Sequence, residues 1–75
     1  MVIGLLDYRQ IKNDYYEVDS CQYGGDIWIL YKHSEYGDDV NGIAVNLTKG
    51  FYTYTQESLR YTIHNLHDEF EIYKL

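Results

Sequence analysis

Cysteine is nearly missing from the chain. Cys21 stands alone, so no disulfide framework can hold the fold. A single unpaired thiol fits a reducing compartment, and the expected location is the cytoplasm, a host's cytoplasm if the source is viral. No apolar run approaches the ~20 residues of a membrane span. Residues 1–7 lack a basic region and carry only a short apolar patch, so no signal peptide is expected. Without secretion, the acceptor-like triplet Asn46-Leu47-Thr48 carries no weight. Linkers, repeats and low-complexity tracts are also missing. The 75 residues are expected to make a single compact domain, near the lower limit for a self-sufficient core. A cofactor domain beside a substrate domain would not fit.

Basic side chains are scarce. Six Lys and Arg stand against twelve Asp and Glu, for a formal charge of -6. Phosphates would repel such a chain, which argues against direct binding of nucleic acid and against anionic membrane surfaces. The natural complement is a basic protein partner. An ordinary solubility charge is the plainer explanation of the same excess.

Proline is absent altogether, while tyrosine occurs ten times. Strand propensity accounts for several tyrosines. A chain this short cannot bury all ten. Tyrosine is also enriched at protein interfaces, where it buries area and keeps a polar tip. Exposed tyrosines beside carboxylates therefore mark a candidate binding surface.

The stretch 26–33, Asp-Ile-Trp-Ile-Leu-Tyr-Lys-His, organises the rest. Alternation sends Ile27, Ile29 and Tyr31 one way and Trp28 and Leu30 the other. A strand apolar on both sides requires cover on both, so it is expected at the centre of a small sheet. Before it, residues 14–22 alternate as an edge strand. Tyr16 and Val18 share one face there; Tyr15, Glu17, Asp19 and Cys21 share the other. Gly24-Gly25 closes a hairpin between the two. Residues 34–42 read as a loop ending in the turn signal Asn41-Gly42. Ile43, Val45 and Leu47 alternate in the next strand, Lys49-Gly50 turns the chain, and residues 51–54 pair back.

Residues 2–12 fit helix and strand almost equally, with a short helix ending at Asn13-Asp14 the better reading. Thr55 is expected to cap a C-terminal helix running to His67, with Glu57 in its first turn. Leu59, Ile63, Leu66 and Phe70 recur at helical spacing; Glu57, Arg60, His64 and His67 lie opposite. Residues 71–75 can add a last short strand. The expected fold is α+β: a small antiparallel sheet of three to five strands packed against one C-terminal α-helix.

No catalytic motif emerges. His33, His64, His67 and Cys21 have no metal-ligand spacing, and solvated histidines are the simpler reading. Cys21 lacks the pocket and oriented base that a nucleophile needs. Gly24-Gly25 and Gly50 are too isolated to cradle a phosphate. Tyrosines that stack on single strands sit among Lys and Arg, whereas these sit among carboxylates. No enzyme activity, cofactor or metal is expected.

Three acidic clusters remain: Asp14/Glu17/Asp19, Glu35/Asp38/Asp39 and Asp68/Glu69/Glu71. On a regular strand Glu17 and Asp19 would share a face about 6.8 Å apart. Such a row could stand in for a phosphate row, which repeats every ~3.4 Å along one strand of a duplex. The expected partner-binding residues are Asp14, Tyr15, Glu17, Asp19, Glu35, Tyr36, Asp38 and Asp39. Carboxylates would meet a partner's Lys and Arg, and tyrosines would supply buried anchors.

In size and composition the chain resembles the small acidic inhibitors of viruses and mobile elements: anti-restriction, anti-CRISPR and glycosylase-inhibitor proteins. The likeness rests on no motif, and no residue is carried over from it. It implies a binding protein that blocks a basic nucleic-acid-binding enzyme, as a DNA mimic or otherwise. The alternative is an assembly module forming a homodimer or larger homo-oligomer through an edge strand and exposed tyrosines.

Overall fold

Trp28 and Tyr31 lie on opposite faces of one strand, and both are buried. A computed structural model describes residues 7–33 and 42–75. In chain order its elements are α1 (Tyr8–Asp14), β1 (Tyr16–Tyr23), β2 (Asp26–Lys32), β3 (Gly42–Asn46), β4 (Phe51–Thr55), α2 (Leu59–His64), α3 (Leu66–Glu69) and β5 (Tyr73–Lys74). The strands form one antiparallel sheet in the order β1-β2-β3-β4-β5. The protein is a mixed α+β fold, its helices mostly near the C-terminal end. β2 is internal as expected, although the middle position belongs to β3.

Each face of the sheet has its own apolar layer. Ile29 and Tyr31 of β2, Ile43 and Val45 of β3, and Tyr52 of β4 pack with Ile11 of α1. On the other side Trp28, Leu30 and Ala44 pack with Leu59, Ile63 and Leu66 of α2 and α3. Phe51 and Phe70 flank that second layer, and Phe51 meets the Trp28 ring edge-on. All four helical apolar positions of the sequence pattern thus reach one layer. Ile27 and Leu47 keep the alternation but, against expectation, are not covered: Ile27 is 49% and Leu47 37% exposed. Ile27 sits near the open start of β2, and Leu47 lies in the turn after β3.

Local chemistry sets the helix starts. Asp7 caps α1: its Oδ1 accepts from the backbone N–H groups of Arg9 (2.7 Å) and Gln10 (3.2 Å). The Gln10 side chain accepts in return from the Asp7 N–H, completing a capping box. These bonds hold the Asp7 carboxyl below its usual range, Gln10 contributing most. α2 starts later than the sequence suggested, because Ser58 rather than Thr55 is its cap. Thr55 ends β4 instead, and its hydroxyl accepts from the Glu57 N–H. The Thr62 hydroxyl donates to the Ser58 carbonyl, so in the buried 2.7 Å contact between the two threonines Thr55 must be the donor. This relay ties the end of the sheet to the start of the helix.

The expected single helix is also broken. Asn65 adopts φ -109, ψ 16, and its side chain donates back to the Tyr61 carbonyl. That interruption separates α2 from α3 and lets Leu66 and Phe70 continue to cover the sheet.

Candidate functional site

Among the described strands β1 lies at an edge of the sheet, paired with β2 alone. Gly24 and Gly25 both have positive φ (58° and 86°), as the two-residue turn joining β1 to β2 requires. The register then breaks between Glu17 and Asp19. Glu17 pairs with Tyr31, while Asp19 pairs with Leu30, which leaves Val18 as an extra, bulged residue. Leu30 and Tyr31 face opposite layers. Glu17 therefore lies on the α1 side of the sheet and Asp19 on the α2 side. This corrects the expectation that the two carboxylates share one face. The bulge turns a row of negative charge into a strand flanked by charge on both faces.

Asp14 ends α1, exposed, just before β1. Among the described residues Asp14, Glu17 and Asp19 join no ion pair. Asp26, by contrast, is neutralised: its Oδ2 accepts from the Asn46 amide at 3.0 Å and meets Lys49 Nζ at 3.3 Å. Those contacts, Asn46 first, hold the Asp26 carboxyl below its usual range. Tyr16, Val18 and Tyr23 are exposed apolar groups along the same edge. Tyr23 meets the His64 ring edge-on, and Cys21, half-buried, packs on the α2 layer. Glu35, Tyr36, Asp38 and Asp39 lie outside the described residues.

Tyr15 is the predicted residue that the fold carries elsewhere. It is half-buried against the α1 layer, with its ring 4.0 Å from that of His33. It also lines a cleft of about 530 Å³ at the end of the sheet where β2 finishes and β3 begins. Tyr54, Phe70, Glu57 and Glu69 line the same cleft. The sequence reading missed Tyr54 and placed Glu57 and Phe70 only in helix patterns. The one local signal was the alternation that aligns Tyr54 with Tyr52.

The tyrosine hydroxyls beside this cleft influence one another. Burial, with the neighbouring Asp14, pushes the Tyr15 hydroxyl above its ordinary range. Burial pushes up Tyr54 as well, reinforced by the nearby Tyr52 hydroxyl. The Tyr52 hydroxyl itself is buried with no hydrogen-bond partner among the described residues.

A second hollow continues from the first. The β4–β5 pairing stops at Tyr52 opposite Tyr73, and the chain parts from β4 beyond that point. Tyr54, Glu69 and Phe70 border both hollows, and Glu71 borders the second. No family model, curated protein or solved structure matches the chain. Among the described residues no cluster of His, Cys, Asp and Glu could hold a metal ion, and no helix is long and apolar enough to cross a membrane.

Proposed function

We propose that this chain is a small acidic binding protein that occludes a basic surface on a protein partner. The observation that carries this reading is β1. It is an eight-residue strand without Lys or Arg, with one side that no described strand pairs, and with carboxylates on both faces that join no ion pair among the described residues. An extended basic segment can add to such an edge through backbone hydrogen bonds, its alternate side chains meeting Glu17 on one face and Asp19 on the other. Tyr16 and Tyr23 supply apolar area beside those charges. A nucleic-acid-binding enzyme presents the surface that fits, and covering it would inhibit the enzyme. That is the mode of action suggested by the virus-type inhibitors that the composition resembles.

Self-association through β1 is the competing reading, favoured by the same open edge. Antiparallel pairing of two copies would bring their carboxylates together across the new interface, which opposes it.

Affinity capture from a host lysate at low and high salt identifies the partner. The decisive comparison then uses Asp14→Asn with Glu17→Gln and Asp19→Asn. All three positions are exposed, so the melting temperature should hardly move. Association should slow at low salt, and the deficit should shrink at high salt, where screening already removes steering. The wild-type complex should no longer bind nucleic acid. Wild-type association by the variant at low salt would refute the proposal. Concentration-dependent sedimentation of the protein alone would favour the assembly reading.

A further inference from the structure

We propose that the cleft between the end of the sheet and α3 binds a guanidinium group. This deepens the reading of a basic partner by naming where an arginine side chain would seat, but the cleft stands on its own geometry. Its volume, about 530 Å³, falls within the range of small-ligand sites. Tyr15, Tyr54 and Phe70 give it aromatic surface, and Glu57 and Glu69 give it negative charge. Neither carboxylate joins an ion pair among the described residues, and no described Lys or Arg lines the cleft. The Glu69 carboxylate is held by the Tyr61 hydroxyl at 2.8 Å, which fixes its position without neutralising it.

A planar cation is the group that such a lining recognises. Its flat face stacks on aromatic rings, and its N–H fork meets carboxylate oxygens two at a time. The tyrosine hydroxyls add acceptors. Tyr52, wholly buried and without a hydrogen-bond partner among the described residues, lies close enough to Tyr15 and Tyr54 to affect both hydroxyls. Where the cation is a protein side chain, the backbone of Tyr54, on the side of β4 that no described strand pairs beyond Tyr52, lies alongside to receive its backbone.

The probe is N-acetylarginine amide, titrated into the intact protein and followed by amide chemical shifts. N-acetylcitrulline amide, equal in shape but uncharged, is the control. Shifts should map to His33, Tyr54, Thr55 and Glu69, and citrulline should bind at least about tenfold more weakly. Glu57→Gln with Glu69→Gln should weaken binding by about tenfold or more while leaving the melting temperature unchanged. Tyr54→Leu should weaken binding comparably through loss of stacking. A short extended peptide with one central arginine separates the sources. Tighter binding than the amide assigns the cleft to a protein side chain, and equal binding assigns it to a free guanidinium compound; both support the site. Equal affinity for citrulline, or shifts confined to β1, would overturn it. The proposed function has a separate test, because the arginine probe needs no partner and the β1 charge variant leaves Glu57, Glu69 and Tyr54 intact.

Discussion

Tyr31 adds a polar tie between α1 and β2, which already share an apolar layer. Its hydroxyl lies 2.9 Å from that of Tyr8, and the two rings meet edge-on. Burial raises the Tyr31 hydroxyl well above its ordinary range, and the bond to Tyr8 raises it further. The stability consequence has a definite sign. Below pH about 10 the hydroxyl is neutral in both folded and unfolded chains, and its contribution is fully present. Above that pH the unfolded chain ionises first, so stability falls until the folded hydroxyl ionises too. Tyr31→Phe should therefore flatten the alkaline decline of the melting temperature. At neutral pH it should cost about 1 kcal/mol for the lost hydrogen bond. Melts at pH about 7 and about 11 check both effects, and an unchanged alkaline slope would contradict the assignment.

At the scale of elements, Gly42 shows how local chemistry and position can diverge. Asn41-Gly42 reads as a turn, yet Gly42 is the buried first residue of β3. A Cβ there would meet the Thr55 carbonyl oxygen at 3.1 Å and Leu30 Cδ1 at 3.3 Å. That oxygen belongs to the paired strand β4 and cannot retreat without disturbing the ladder. Gly42→Ala should cost about 1–3 kcal/mol in chemical denaturation, the overpacking outweighing the entropy gained in the unfolded chain. An apolar run on both faces made β2 legible in the sequence, clean alternation made β3 legible, and strand-forming residues made β4 legible, because these inner strands must satisfy two apolar layers. Helical spacing likewise identified Leu59, Ile63, Leu66 and Phe70. The bulge at Val18 left no such trace, since an inserted apolar residue on an exposed edge does not disturb a buried pattern. Ser58 and Thr55 are both capping types, and in the fold Thr55 is taken up by the end of β4 and its bond to Thr62, which leaves Ser58 as the cap. Asp7 and Gln10 did carry a capping signal, one overlooked beside the ambiguous periodicity of residues 2–12. Of the candidate site, the lone charges of β1 were legible. The cleft was not, because Tyr15, Glu57 and Phe70 are brought together only by the tertiary fold.

Across the whole molecule, the two apolar layers share the same three inner strands. Removing either cover exposes strands that the other layer also needs, so the two should not unfold separately. Leu59→Ala, at a wholly buried position of the α2 layer, should cost about 2–5 kcal/mol. Trp28 fluorescence reports that layer, and the near-ultraviolet signal of buried tyrosines is dominated by the other. Both should shift together in urea, to the same midpoint, in the variant as in the wild type. Separate midpoints would mean that each layer melts alone. The order of strands in the sheet has a further consequence, for how the chain finds its shape. Spatial order repeats chain order, so every strand's partner is the next one along. Loop closure costs entropy that grows with the span enclosed, and the search here runs through short spans, the two glycines between β1 and β2 being the shortest. Only β5 must close around an intervening pair of helices, and it does so with two residues. The rest of the sheet can assemble hairpin by hairpin, without waiting for the far end of the polypeptide.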